Sequence, residues 1–277
     1  MSKYSPLMTV IDAAARKAGR SLTRDFNEVE HLQVSKKGPA DFVSAADQRA
    51  DKILREELSR ARPAFGFLTE EGKDIKGDGE HRWIIDPLDG TTNFLHAVPH
   101  FAISIALERA GEIVAAYVYN PLIDDIYWAE KGTGAFATRT GRLRVSARRD
   151  FNTCLIATGI PFMGAGDPDM PRFQREMAAI ALKCSGIRRM GAAALDLAYV
   201  AAGRFDAFWE RGLSPWDTAA GLLLVREAGG IVADLQGQHA SAHSPDILAT
   251  NPHIAATMTD LLAMPPIATS PNAKAAG

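Results

Sequence analysis

The chain has 277 residues, of which 47% are hydrophobic and 23% are charged, and its formal net charge is -2 at pH 7. These values are ordinary for a globular protein with a sizeable buried core, and they exclude a disordered or fibrous chain. The slight acidity excludes a global positive field that would hold nucleic acid or an anionic membrane. An anionic substrate must therefore be drawn in by local charges or by a metal ion.

The cysteines and the N-terminal segment indicate the cellular compartment in which the protein is expected. Cys154 and Cys184 lie in apolar surroundings, with no His or second Cys at metal-ligand spacing, which predicts buried free thiols. The N-terminal residues lack the apolar core and cleavage site of a secretory signal, and no apolar run reaches the length that crosses a bilayer. We therefore expect a cytoplasmic protein without a membrane segment.

The first half of the chain predicts two helices followed by strands. Apolar residues recur at helical spacing from Leu7 to Phe26, which predicts an amphipathic N-terminal helix. The Gly38-Pro39 pair breaks any helix, so Lys36 to Val43 should form a loop or short hairpin, and a second helix should begin near Ser44. Short apolar runs then predict an antiparallel meander. These runs are Phe65–Thr69, Arg82–Asp86, Phe101–Leu107, Ile113–Tyr119 and Asp125–Ala129.

After Ser146 the predicted helices and strands alternate. Strands are predicted near Thr153–Thr158 and Ile187 and at Phe205–Glu210, Ile231–Asp234 and Ile247–Thr250, and helices after Pro171 and at Ala193–Ala201 and Trp216–Ala228. The fold class is therefore α/β, a layered α+β sandwich in which helix and sheet layers alternate. We expect one domain over residues 1–264, with subdomains 1–148 and 149–264 as the alternative division. Residues 265–277 are expected to form a disordered tail.

The most informative segment is Trp83–Phe94, WIIDPLDGTTNF, in which an apolar strand runs into two acids. Pro87 keeps Asp86 extended, so Asp86 projects from the strand end while Asp89 turns back beside it. The two carboxylates and the Leu88 carbonyl can then face one point, and Mg²⁺ prefers such oxygen ligands. The small residues that follow can offer backbone N–H groups to a phosphate. Short acids are also common in turns and helix caps, so both interpretations stay open here.

Three further acidic points occur along the chain. Glu70-Glu71 follows an apolar run, and Asp217 lies in the first turn of a predicted helix. Asp41, Ser44 and Asp47 flank the start of the second helix. Taken singly, each point is also explained as a solvated turn or a helix cap.

Together and in this order, the four segments resemble the signatures of the inositol monophosphatase family, and fairly closely its bacterial SuhB-type members. The matching segments are DFVSAAD, the Glu70-Glu71 pair, WIIDPLDGTTNF, and PWDTAAG with EAGG downstream. The resemblance covers about residues 7 to 260, and its most specific parts are DPLDGTTNF and PWDTAAG. Ser44 stands where the family usually has Thr, a change that keeps the hydroxyl group.

The resemblance implies Mg²⁺-dependent hydrolysis of a small phosphomonoester, with myo-inositol monophosphate as the leading substrate. It implies two or three Mg²⁺ ions, held by Glu70, Asp86, Asp89, Asp217 and the carbonyl of Leu88. A metal-activated water would attack in line, positioned by Glu70 and by Thr91, which Asp47 would orient. The implied substrate contacts are Asp89, Gly90, Thr91, Gly191, Ala193, Glu210 and Lys36.

The resemblance also implies a homodimer and inhibition by Li⁺, with a small phosphorylated polyol as the substrate. Relatives with the same metal site cleave fructose 1,6-bisphosphate, adenosine 3′,5′-bisphosphate or histidinol phosphate. The metal motif recognises phosphate and does not separate them, although the run from Gly191 to Glu210 favours the inositol type. A regulatory protein on the same fold, acting on RNA or a transcription component, is the alternative from another class. Arg142-Arg144 and Arg148-Arg149 could form a local basic patch, but the overall acidity argues against autonomous nucleic-acid binding.

Overall fold

The computed structural model describes residues 4–28, 34–38, 41–161 and 170–263. The predicted disordered tail, residues 265–277, lies outside this part, and so do the side chains of residues 34–38 and 41–44. The helices of the described part are α1 (Pro6–Phe26), α2 (Ala45–Ala61), α3 (Thr91–Leu95), α4 (Met170–Ala181), α5 (Ala193–Ala201), α6 (Pro215–Glu227) and α7 (Ala255–Leu262). Its strands are β1 (Val34–Gly38), β2 (Asp41–Ser44), β3 (Gly66–Thr69), β4 (His81–Asp89), β5 (Ala102–Arg109), β6 (Glu112–Asn120), β7 (Asp125–Glu130), β8 (Gly134–Ala137), β9 (Gly141–Arg142), β10 (Leu155–Thr158), β11 (Gly186–Arg188), β12 (Ala207–Glu210), β13 (Ile231–Ala233) and β14 (Ile247–Thr250).

The first sheet has seven strands in the order β3-β4-β5-β6-β7-β8-β9, while β1 and β2 form a separate hairpin. From β4 to β9 every pair is antiparallel, which confirms the predicted meander. The prediction is wrong for β3, which pairs parallel with β4. After β3 the chain runs back beside it, with an antiparallel bridge between Phe67 and Ile75. This return brings β4 back to the end at which β3 began, and the two strands therefore run in the same direction.

The second sheet has five strands in the order β11-β10-β12-β14-β13. β10 is parallel to both β11 and β12, whereas β14 is antiparallel to both β12 and β13. α4 connects β10 to β11, and α5 connects β11 to β12. Parallel strands need such crossover connections, since a tight hairpin joins only antiparallel neighbours. Parallel pairing also places the carboxyl ends of β10 and β12 at one edge of the sheet.

The helices and sheets stack in five layers. Trp83 and Ile85 of β4 pack in the core with α1 and α2, whereas Ile84 points to the opposite face and packs with α5 and α6. This alternation follows from the two-residue period of a strand. Phe208 of β12 joins the same core as α5 and α6, while Trp209 packs on the outer face with α4 and α7. The predicted sandwich of alternating helix and sheet layers is confirmed.

α6 is the central helix, with buried leucines at Leu222, Leu223 and Leu224, so that it is apolar around its circumference as expected for a helix between two sheets. At its C-terminal end, the Glu227 carboxylate accepts hydrogen bonds from the N–H groups of Gly132 and Gly134, both at 2.7 Å. The end of α6 is therefore fastened to the turn between β7 and β8. We call this contact the Glu227 clamp.

The cysteine prediction is only partly right. Cys154 is buried and Cys184 is only partly buried, and neither forms a disulfide. Cys184 lies in the turn after α4, between the exposed residues Lys183 and Ser185, where one side of its side chain reaches the surface. Across the described residues, none of the helices has both the length and the apolar character needed to span a membrane.

Candidate active site

The acids of the DPLD segment lie inside β4 rather than beyond its end. Asp86 pairs with Ser104 of β5, Asp89 pairs with Ala102, and the register shifts between them. Within this bulge the Leu88 N–H donates a hydrogen bond to Asp86 Oδ1 at 2.8 Å. The predicted strand end at Asp86 is therefore wrong, because pairing with β5 resumes after the bulge and continues to Asp89. Both carboxylates are buried, with exposures of 2% and 7%.

Gly90 and Thr91 make the transition from β4 to α3. Gly90 has a φ of 95°, in the left-handed region that glycine adopts without strain. The Thr91 hydroxyl lies 3.1 Å from the Leu88 carbonyl oxygen and 3.1 Å from Asp47 Oδ1, so its one hydrogen is shared or alternates between these acceptors. Asp47 is fully buried in the first turn of α2. This contact is the geometry that the predicted orienting role of Asp47 requires.

The turn that carries Glu70 is held by Arg55 of α2. The Arg55 guanidinium donates hydrogen bonds to the Thr69 hydroxyl and, at 3.0 Å, to the Lys73 carbonyl. The Gly72 N–H donates to the same hydroxyl at 3.1 Å. These bonds fix the backbone on both sides of Glu70 and hold its partly buried side chain at the end of β3.

Two more carboxylate contacts involve the starts of helices. The Ser214 N–H donates to Asp217 Oδ2 at 2.7 Å at the beginning of α6, so Asp217 acts as a helix cap. The Ala194 N–H, in the first turn of α5, donates to Asp89 Oδ2 at 2.8 Å. Through these bonds the first turns of both helices partly offset the negative charges of the two acids.

One cleft, with about 780 Å³ of space that is partly open to solvent, gathers nearly all the predicted site residues. Those that line it are Glu70, Asp86, Leu88, Asp89, Gly90, Thr91, Gly191, Ala193, Glu210 and Asp217. Asp47 does not line the cleft but contacts Thr91 from behind. The side chain of Lys36 belongs to the part of the chain outside the description, so its predicted role stays a prediction.

The carboxylates at the inner end of the cleft raise one another's pKa values. Burial, together with the charges of Glu70, Asp89 and Asp217, raises the pKa of Asp86 well above its ordinary value. Burial above all raises the pKa of Asp89 to about 7, and burial with the charge of Asp89 raises that of Asp217 to about 7. Arg189 is the one cation among the described residues that line the cleft. We call the region of Glu70, Asp86, Asp89, Asp217 and the Leu88 carbonyl the inner end; the ionised forms of its acids repel one another.

A further acid, Glu210, also lines the cleft, and Asp196 of α5 interacts with it electrostatically. Burial, followed by the charges of Asp217 and Asp89, raises the pKa of Glu210 to about 8, while Arg189 lowers it. Asp196 of α5 is 1% exposed, and its pKa is raised well above the ordinary value by burial and then by the charge of Glu210. We call the region around Glu210 the distal end.

The donor chemistry of the inner end fits Mg²⁺. Its carboxylates and the Leu88 carbonyl are hard oxygen donors, and burial with neighbouring negative charges raises the pKa values of Asp86, Asp89 and Asp217, an effect that a bound cation would oppose. Within the described residues, no three His, Cys, Asp or Glu side chains already converge as a finished ion site. Mg²⁺ is usually held by one or two carboxylates, and water and phosphate oxygens complete its shell, so the residues present fit such an ion.

Three cleft residues are absent from the sequence prediction: Gly159, Arg189 and Leu213. Thr92 and Ala192, which also line the cleft, belong to the predicted segments Gly90-Thr91-Thr92 and Gly191-Ala192-Ala193. Arg189 precedes the predicted contact Gly191 by two residues, and that spacing was an available signal. An acid within the otherwise apolar helix AALDLAYVA was a comparable signal for Asp196. Gly159 is recognisable only once β10 is known to lie beside β12.

Known proteins resemble this chain over nearly its whole length. Residues 3–264 match the model of the inositol monophosphatase family. An inositol-1-monophosphatase of Rhizobium meliloti is 56% identical over 262 residues, covering 94% of this chain and 97% of the relative. A protein of Pseudomonas aeruginosa named Nus factor SuhB is 43% identical over 249 residues, covering 89% of this chain and 92% of the relative.

A solved structure gives the same result for the fold. The extragenic suppressor protein suhB from Bartonella henselae superposes with a TM-score of 0.90 at 54% sequence identity, covering 94% of this chain and 99% of that protein. The resemblance predicted from the four acidic segments is thus confirmed. This chain belongs to the inositol monophosphatase family.

Proposed function

We propose that this chain hydrolyses the phosphomonoester of a small polyol in a Mg²⁺-dependent reaction, with myo-inositol monophosphate as its preferred substrate. Family membership supports phosphatase activity at the coarser level. One observation carries the finer proposal. The cleft is lined by a cluster of hard oxygen donors and by one further carboxylate, Glu210, an arrangement suited to a phosphate bound through metal and a hydroxyl-bearing ring beside it.

At the inner end, Glu70, Asp86, Asp89, Asp217 and the Leu88 carbonyl would hold the metal. When bound, Mg²⁺ supplies charge neutralisation for the phosphate and lowers the pKa of a water molecule. The protein groups then act on that water. If Thr91 donates its hydrogen to Asp47, its lone pairs accept a hydrogen bond from the water, and Glu70 takes up the proton.

At the distal end, Glu210 would recognise the hydroxyl groups of the substrate, beside the contacts proposed for Gly191 and Ala193. A carboxylate accepts hydrogen bonds from vicinal hydroxyls, and its acid form can both donate and accept. The ionised form repels a second phosphate group, which disfavours fructose 1,6-bisphosphate and adenosine 3′,5′-bisphosphate.

A phosphate-release assay on purified protein tests the proposal. The panel contains myo-inositol monophosphate, fructose 1,6-bisphosphate, adenosine 3′,5′-bisphosphate, histidinol phosphate and an aryl phosphate, each with Mg²⁺ and with a chelator. We expect the highest kcat/KM for inositol monophosphate and a loss of turnover in chelator. A clear preference for another substrate would refute the inositol assignment, and full activity in chelator would refute the metal dependence.

A second candidate function is regulatory action on RNA or a transcription component. It is supported by the relative named Nus factor SuhB and by Arg142, Arg144, Arg148 and Arg149, all of which are exposed. Direct RNA binding should weaken as salt rises, because arginine contacts to phosphate release counterions. Gel-shift titration at two salt concentrations, with the four arginines replaced by glutamine as the comparison, tests this candidate. No binding at low salt would remove RNA as the partner.

A further inference from the structure

Gly159 and Glu210 meet at the edge of the second sheet. β10 and β12 are parallel, with Thr158 paired to Trp209, so both strands end at the same edge, where Gly159 and Glu210 both line the cleft. The Glu210 side chain lies directly over Gly159. A Cβ atom added to Gly159 would overlap the carboxylate carbon and both carboxylate oxygens of Glu210. The carboxylate thus fills the space that any other side chain at position 159 would occupy.

The backbone that carries Glu210 is firmly held. β12 pairs with β10 on one side and with β14 on the other, where Glu210 lies opposite Ile247. The next residue, Arg211, binds both carboxylate oxygens of Glu176 in α4, at 2.5 and 2.6 Å. The side chains of this pair are only 9% and 4% exposed, and breaking such a buried pair is costly. An obstacle at position 159 would therefore be relieved by rotation of the Glu210 side chain, not by movement of the strand.

The backbone of Gly159 does not itself require glycine. Its φ lies outside the left-handed region, unlike that of Gly90 or Gly191. An alanine at position 159 is therefore free of backbone strain, and the atoms that it meets are the far end of a flexible side chain. The absence of a side chain at this position affects Glu210 above all.

We propose that Gly159 is a specificity-determining residue, which seats the Glu210 carboxylate at the distal end of the cleft and thereby selects the phosphomonoesters of polyols. The proposal rests on the function proposed above, in which Glu210 binds the substrate hydroxyls. Gly159 acts through Glu210 and is a positioning residue. With the carboxylate seated over position 159, the cleft presents hydrogen-bonding oxygens to hydroxyl groups on the part of the substrate remote from phosphorus.

The test compares Gly159→Ala with a matched control, Gly186→Ala. Gly186 also lies at the second sheet, in β11, and its added Cβ would meet only the Arg188 guanidinium at 3.3 Å and Leu155 at 3.5 Å. For Gly159→Ala we expect kcat/KM for myo-inositol monophosphate to fall by about tenfold or more, as for loss of charge-assisted hydrogen bonds. Turnover of an aryl phosphate, which lacks hydroxyl groups, should change by less than about twofold. Gly186→Ala should change neither rate.

A double-variant cycle and a crystal structure complete the test. In a Glu210→Ala background, Gly159→Ala should cause no further loss on the inositol substrate and no loss of thermal stability, because the overlapping group is gone. A crystal structure of Gly159→Ala should show the Glu210 carboxylate displaced. Equal losses on both substrates, or a carboxylate that keeps its position, would overturn the proposal. If the wild type shows no preference for polyol phosphates, the proposed function fails, and the crystal structure still decides whether Gly159 seats Glu210.

Discussion

Asp89 interacts with several other groups of the site. Its Oδ2 accepts the Ala194 N–H of α5, and its charge raises the pKa values of Asp86 and Asp217. We expect Asp89→Asn to abolish turnover while the protein stays folded, since the amide keeps the shape but removes the charge that the metal cluster needs. Phosphate release and circular dichroism measure the two effects, with the exposed acid Asp260→Asn as the control. A folded Asp89→Asn protein with near-normal kcat would contradict the proposed mechanism.

Glu210 offers a separate test of the distal end. At a pH above 8, where Glu210 is ionised, replacement by Gln keeps the shape and weakens the charge-assisted hydrogen bonds, which should cost roughly 1.5–3 kcal/mol in transition-state binding. We expect about a tenfold or greater drop in kcat/KM for myo-inositol monophosphate and little change for an aryl phosphate. Parallel kinetics on the two substrates give the answer. Equal drops would mean that Glu210 supports the metal site or the fold.

The raised pKa values of Asp89 and Asp217 predict how the stability of metal-free protein depends on pH. Each acid binds its proton more tightly in the folded than in the unfolded state, so the folded state holds more protons between the ordinary pKa of 3.8 and the folded value of about 7. The free energy of unfolding should therefore fall as pH rises through this window. Urea titrations in chelator from pH 5 to 8 would show the fall. Added Mg²⁺ should make this fall smaller, because the ion takes the place of the protons. A free energy of unfolding that rises with pH in chelator would contradict the prediction.

The acids that line the cleft could be predicted from the sequence because their signal is chemical and local. An apolar strand that runs into DPLDG predicts oxygen ligands from Asp86, Leu88 and Asp89, which lie within four residues of one another. Gly159 was not predictable in this way. A glycine after a strand is common, and its meaning arises only from the pairing of β10 with β12, which places it beneath Glu210. Long-range pairing of this kind leaves no trace in the local pattern.

At the scale of elements, the Glu227 clamp predicts a stability effect far from the cleft. Glu227 accepts two backbone N–H groups, and loss of hydrogen bonds to a charged group costs about 1.5–3 kcal/mol. We expect Glu227→Ala to lower the free energy of unfolding by about this amount. Urea denaturation measures it, with Glu112→Ala as the control, because the ion pair of Glu112 with Lys131 is exposed and should contribute little to stability. Equal effects of the two variants would mean that the clamp adds no stability.

Elements with strong periodicity were predicted well, and short ones were missed. α1 and α6 begin within a residue or so of their predicted starts, since an apolar period and a Pro near the first turn mark them. The missed elements are β8, β9 and α7. β8 and β9 have four and two residues, too few to show a period, and they form by extending a sheet that already exists. α7 has eight residues and is stabilised by packing against the second sheet.

At the scale of the whole molecule, the two sheets share one core. Ile84 and Ala106 of the first sheet and Phe208 and Ala249 of the second belong to a single hydrophobic cluster around α5 and α6. The division of the chain into one domain or two stays a prediction, and this cluster supports one domain over residues 1–264. The homodimer implied by the family resemblance also stays a prediction.

A shared core predicts one cooperative unfolding transition. Trp83 lies in the first sheet and Trp209 in the second, and both are fully buried. Two variants each retain a single tryptophan, either Trp83 or Trp209, and the other three tryptophans are replaced by phenylalanine. Their fluorescence transitions in urea should coincide with each other and with the transition seen by circular dichroism. Separate midpoints for the two probes would instead support the subdomains 1–148 and 149–264.

The Glu227 clamp also makes amide hydrogen exchange at the C-terminal end of α6 a measure of events at its start. The Glu227 carboxylate accepts hydrogen bonds from the N–H groups of Gly132 and Gly134, although Gly132 lies in an exposed turn, so these bonds should slow the exchange of the two amide hydrogens with water. Asp217 and Glu227 are ten residues apart in α6, so the rise of the helix separates them by about 15 Å. A ligand in the cleft that stabilises the start of α6 should slow deuterium uptake at Gly132 and Gly134. The uptake rate of these two amides would then report whether the cleft is occupied.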